Sequence, residues 1–273
     1  MNKQPDEEMA AIAYYSHVTE CHEVGMKMTP ALDDQGGGIA TVESRWLWLH
    51  AGLPLVALAI SSAILWGAGG DHWIADHLYQ LEGRQWQWKN AWLTKQFIHQ
   101  DGKRLSILAG LITALIAALG WRTRRWLTLR WPATYVLLSV AIATLCVSGL
   151  KRLTAMDCPW DLIAYGGSRP YIGLFMLRHG IPASGCFPAG HASAGYAWVA
   201  LYFIALRSKP RWRWYALAIG VGSGCIFGLS QQVRGAHFLS HDLWSLAVCW
   251  YTALSLYWIG IKTGRIAVPP PEV

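Results

Sequence analysis

Six apolar segments, at roughly 46–68, 105–121, 132–150, 190–206, 214–232 and 240–260, alternate with polar stretches along the chain. Each is near the ~20 residues that a helix needs to cross the hydrocarbon core of a bilayer. The pattern predicts an all-α integral membrane bundle of six spans. Residues 1–44 are polar and mixed, with Asp6-Glu7-Glu8, Asp33-Asp34 and Gly36-Gly37-Gly38. They lack the basic and apolar regions of a secretory signal and are expected to form a flexible cytoplasmic tail. The expected organisation is this tail, a six-span domain over 45–265 and a C-terminal tail over 266–273. No internal repeat is evident.

Composition strengthens this picture. Of 273 residues, 53% are hydrophobic, only 14% are charged and 17 are tryptophan, which is too apolar for an ordinary soluble domain. The formal charge of +7 does not point to nucleic acid, because the basic residues lie in short clusters between apolar segments and form no single polar face. Those clusters orient the spans. Arg122, Arg124, Arg125 and Arg130 fill one linker, and Arg207, Lys209, Arg211 and Arg213 another. Both belong on the cytoplasmic side. Arg45, Lys262 and Arg265 agree, so both termini are expected inside and the loops 69–104, 151–189 and 233–239 outside.

The first outer loop also carries Arg84, Lys89, Lys95, Lys103 and Arg104, which weigh against the assignment; its acidic residues offset part of that charge. Its Trp73, Trp86, Trp88 and Trp92 suit an amphipathic helix at headgroup level, or equally a surface helix packed on the bundle. Of six cysteines, only Cys158 and Cys186 share a loop. They are either bridged, if that loop faces an oxidising compartment, or two free thiols, since spacing does not fix geometry.

Under this topology three polar clusters meet on one outer face: Lys151-Arg152 after the third span, Phe187-Pro188-Ala189-Gly190-His191 before the fourth, and Arg234-Gly235-Ala236-His237 after the fifth. Ionisable groups at membrane depth are costly and are usually paired or functional. Cations converging with histidines suit an anionic substrate such as a phosphate, which needs fixed donors, a nucleophile and a proton source for the leaving oxygen.

These residues resemble the type 2 phosphatidic acid phosphatase superfamily over roughly 105–260. Its pattern is Lys-x6-Arg-Pro, then Pro-Ser-Gly-His, then Ser-Arg-x5-His-x3-Asp. Here the first motif keeps Lys151 and Pro159 but has Cys158 for arginine. The second reads Pro188-Ala189-Gly190-His191. The third reads Ser230-Gln231, then His237, then His241-Asp242, so its arginine is missing and its aspartate is displaced by one. The resemblance implies that His237 is a nucleophile forming a phosphohistidine, that His191 protonates the leaving group, and that Lys151 and the Gly190 amide hold phosphoryl oxygens. Asp242, with His241 as a lesser candidate, is expected to orient His237. Arg234, Arg152, Arg169 or Arg178 is expected to stand in for the lost arginines, and Ser193 for the hydroxyl absent at Ala189.

His72, His77, His99 and His179, by contrast, read as polar interfacial residues, and Lys151-Arg152 also reads as a snorkelling pair at a span end. A zinc site at His237 and His241 is disfavoured, because no glutamate follows the first histidine and Arg234 is near. No cofactor is expected. The implied protein is a lipid phosphatase of a bacterial inner membrane with its site facing the periplasm, acting on a lipid phosphate monoester or pyrophosphate. A lipid phosphotransferase and a catalytically silent binding or transport protein are the alternatives. The oligomeric state is not legible, and soluble vanadium haloperoxidases, which resemble the same motifs, do not fit the apolar spans.

Overall fold

A computed structural model describes residues 44–154, 156–174, 176, 180 and 184–266. Arg45–Val273 form one compact unit. The expected tails lie, but for Ser44 and Ile266, outside the described residues, as do Arg178 and His179. Among the described residues the fold is all-helical; the one strand-like pairing is an isolated bridge between Leu162 and Arg169.

Eight α-helices occur among the described residues. We number them α1 (Leu53–Ser62), α2 (Gly70–Leu81), α3 (Gly102–Arg122), α4 (Arg130–Thr154), α5 (Gly190–Tyr196), α6 (Ala200–Ser208), α7 (Arg213–Gln232) and α8 (Leu239–Lys262). Helix α1 is continued on both sides by π-helical turns, and α3 is preceded by the π-helical segment Leu93–Asp101.

Four helical runs among the described residues are long and apolar enough to cross a membrane: Ser44–Gly67, Gln87–Arg122, Arg124–Asp161 and Leu239–Lys262. The six expected spans are therefore not all reproduced. The fourth is divided into α5, a 3₁₀ turn at Ala197–Val199 and α6, and the fifth is α7. Both are diluted by small and polar residues such as Ser193, Gly195, Gly220 and Gly224. These residues make a close helix crossing: a Cβ on Gly195 would lie 2.4 Å from the Gly224 nitrogen, and one on Gly220 would lie 2.5 Å from the Val199 nitrogen. Small residues are what bring helices close in a bilayer, where lipid tails are as apolar as leucine.

The outward faces show the opposite chemistry. Leu53, Leu55 and Ile60 of α1, Ile64 of the π-helical turn after it, and Leu108, Leu111, Ile112 and Leu115 of α3 are each at least 50% exposed. Burial of one such side chain is worth about 1.5–3 kcal/mol, so a row of them turned outward marks a lipid-facing surface. The inner positions belong to α8, which packs on α1, α4, α5, α6 and α7. Its Ala253 carbonyl accepts from the Tyr135 hydroxyl at 3.0 Å, and its Trp250 and Tyr251 donate to the carbonyls of His50 and Ala51, each at 2.7 Å. With α8 pinned to both sides, the turn before it is held at one end of the bundle.

Candidate active site

The starts of α5 and α8 are tied through main-chain groups. The Ala189 amide donates to the His241 carbonyl at 3.0 Å, and the buried Ser245 hydroxyl is 2.9 Å from both the Ala189 and the His241 carbonyls. The end of α4 joins them. Thr154 donates to the Phe187 carbonyl at 2.5 Å, just before the cis Phe187–Pro188 bond, and the Cys186 amide donates to the Met156 carbonyl. Cys158 and Cys186 form a disulfide, which decides between the two states open at the sequence level.

This frame brings Lys151, Gly190, His191 and His237 together. Lys151 is half-buried, and a Cβ on Gly190 would lie 3.7 Å from its Nζ, so the lysine reaches the first turn of α5. His237, in the turn before α8, is only 6% exposed. Burial, then the His241 ring and the Lys151 charge, hold its pKa well below the ordinary histidine range, so His237 is neutral at pH 7.

Asp242 departs from its expected place. It accepts from the Gln232 amide at 2.5 Å and packs against Gly228, while the ring that meets His237 is His241, Nδ1 to Nδ1 at 3.3 Å. One residue on a helix turns the side chain by about 100°, so the displaced aspartate faces α7 and not His237. A second buried acid at the start of α8 is Asp71 of α2. Its carboxylate accepts from the Ser240 amide at 2.9 Å and from the Ser240 hydroxyl at 2.5 Å, capping α8 from a neighbouring helix.

The candidates for the missing arginines separate in the same way. Arg234 is 7% exposed and donates to the Lys89 carbonyl at 3.0 Å, to Gln231 Oε1 at 3.1 Å and to His99 Nδ1 at 3.2 Å. Arg152 is exposed, one helical step away from Lys151. Arg169 is held in the loop by Asp157 at 2.8 Å and Ser184 at 2.7 Å. The Ser193 hydroxyl donates back to the Gly190 carbonyl at 2.7 Å, as a helix-interior serine does when it bonds its own preceding turn. Arg169 and Ser193 are thus engaged in local hydrogen bonds, and Arg152 is exposed beside Lys151.

His99, expected to be an ordinary interfacial residue, stacks on His191 with ring centroids 3.6 Å apart. No motif marks it. The one local signal is that it stands two residues before Asp101 in a polar stretch between aromatic residues, a pattern shared by many surface segments. Asp71 is similarly unmarked, apart from being an acid beside an apolar span.

The fold and the site together define a helical membrane protein that gathers histidines and cations at one end of its bundle. Residues 132–265 match the PAP2 superfamily, and the chain belongs to that superfamily. The motif resemblance read from the sequence thus holds, and the membrane phosphatase type of fold goes with it. Comparison with curated proteins and with solved structures returns no match.

Proposed function

We propose that the protein is a membrane phosphatase that hydrolyses a lipid phosphate monoester or pyrophosphate through a phosphohistidine, at the periplasmic face of a bacterial inner membrane. The observation that carries this reading is the meeting of Lys151, Gly190, His191 and His237, drawn from three separated stretches, around the first turn of α5.

The chemistry follows from the geometry. Of two facing Nδ1 atoms only one carries the proton. When His237 Nδ1–H donates to His241 Nδ1, the Nε2 lone pair of His237 is free to attack phosphorus. The bond from phosphorus to the leaving oxygen breaks as the N–P bond forms. His191, which burial and the neighbouring cations hold neutral in the unliganded protein, takes up a proton with the incoming phosphate anion and gives it to that oxygen. A water then attacks phosphorus, passes a proton to His191 and breaks the N–P bond, releasing phosphate and restoring His237. Lys151 and the Gly190 amide hold the equatorial oxygens, where negative charge is greatest in the transition state.

Phosphate release from a panel of lipid phosphates, by purified protein and by His237→Ala, tests the reading. Turnover lost in the variant supports it. Turnover in neither protein favours the silent binding protein, and transfer of the phosphoryl group to an added alcohol in place of water favours the phosphotransferase.

A further inference from the structure

Position 231, where the superfamily pattern has arginine, holds a glutamine that is 2% exposed. Its Oε1 accepts from Arg234, and its Nε2 has no partner among the described residues. Because a guanidinium only donates, the oxygen of this amide must face Arg234 and the NH₂ must turn away from it. Leaving such a donor buried and unmade costs about 1–3 kcal/mol, so the orphan points to a missing acceptor.

The same logic applies to His99. Arg234 donates to its Nδ1, so the neutral ring carries its proton on Nε2, and the ring also lies within hydrogen-bond reach of the Gln231 side chain. Both side chains line one cavity with His191, Lys103, Ala194 and Phe227. The surface of this small cavity is mostly apolar, and the polar residues that border it are His99, His191, Gln231 and Lys103. His99 also lies on the π-helical segment Leu93–Asp101, outside the residues matched to the superfamily. Such π segments are enriched at functional sites.

We propose that Gln231 Nε2–H and His99 Nε2–H, with Lys103 at the rim, form an oxyanion subsite beside His191 that binds phosphate oxygens of the substrate. In this arrangement Arg234 is a positioning residue: it fixes the donors and does not itself replace the motif arginine. The subsite deepens the phosphatase reading and rests on it for its role in turnover, while its affinity for an anion is measurable without turnover.

Four full-length variants test it: Gln231→Glu, which keeps shape and removes the donor; His99→Phe, which keeps the stacking and removes the donor; His99→Gln, which restores an amide donor; and His237→Ala. Turnover and calorimetric titration with inorganic phosphate are measured on each, beside a thermal melt. Gln231→Glu and His99→Phe should each weaken phosphate binding and lower kcat/KM about 10- to 100-fold, as expected for a hydrogen bond to a charged group, and His99→Gln should recover part of both. Wild-type phosphate affinity in Gln231→Glu and His99→Phe overturns the subsite. So does a loss that His99→Phe shows only in its melting temperature. If wild-type protein turns over no lipid phosphate yet binds inorganic phosphate in a manner dependent on His99 and Gln231, the enzymatic reading falls and the subsite stands. If turnover depends on His237 but not on His99 or Gln231, the subsite alone falls.

Discussion

Replacing His241 by alanine removes the one ring that meets the proposed nucleophile. The effect has two parts that an assay can separate. His241 is fully buried, so deleting its ring leaves a void, and large-to-small changes of this kind cost about 2–4 kcal/mol of stability. The catalytic part is the lost acceptor 3.3 Å from His237 Nδ1. In the phosphorylated state His237 is cationic, so the bond it donates is charge-assisted and worth about 1.5–3 kcal/mol, which converts to roughly a 10- to 150-fold loss in kcat. His241→Asn, which retains an acceptor, should lose less. His241→Asp places a carboxylate where the superfamily pattern has one, and should turn over at least about tenfold faster than the alanine variant because an anion stabilises the cationic intermediate more than a neutral amide does. Phosphate release at saturating substrate gives kcat, and a thermal melt in the same detergent confirms that each variant is folded. A folded His241→Ala protein with kcat within about twofold of wild type, well below the loss assigned to one charge-assisted hydrogen bond, would refute the orienting role.

Three further outcomes follow from other contacts. The depressed pKa of His237 keeps its nucleophilic form neutral as pH falls below about 6.5, the ordinary histidine value. The limb of kcat/KM against pH that reports His237 should therefore lie below that value, and the stability contributed by a neutral His237 should be present above about pH 6.5 and lost as pH falls toward its folded pKa; a limb at 6.5 or above contradicts the burial argument. Asp71→Ala should destabilise the protein by about 1–3 kcal/mol, seen as a lower melting temperature, because two donors at the start of α8 lose their shared acceptor. Cys158→Ser with Cys186→Ser should cost about 2–4 kcal/mol, the usual range for opening a disulfide, read by denaturation of the double variant against the oxidised parent.

How far the sequence reached depends on what each feature needs. Apolar length and arginine-rich linkers are one-dimensional signals, and they were enough to predict a helical membrane bundle. Motif spacing was enough to bring Lys151, His191 and His237 together. Of the six expected spans, those at α5–α6 and α7 do not stand out as long apolar runs, because close packing there exchanges bulk for Gly195, Gly220 and Gly224. Asp242 was misplaced because a carboxylate one position out of register looks nearly right in a string and points about 100° away on a helix. His99 and Asp71 act across about 90 and 170 positions of chain, respectively, to reach His191 and Ser240, and nothing local to either residue announces its partner.

The bonds from Ala189 to the His241 carbonyl, and from Ser245 to both carbonyls, have a consequence for how such a site changes over generations. Separation between the two histidine-bearing turns is written in backbone atoms, which every amino acid supplies. Motif side chains at 158, 189 and 231 can then drift without moving the histidines apart. Selection is left free to rebuild the groups around the two histidines from neighbouring segments while the distance between His191 and His237 is inherited unchanged.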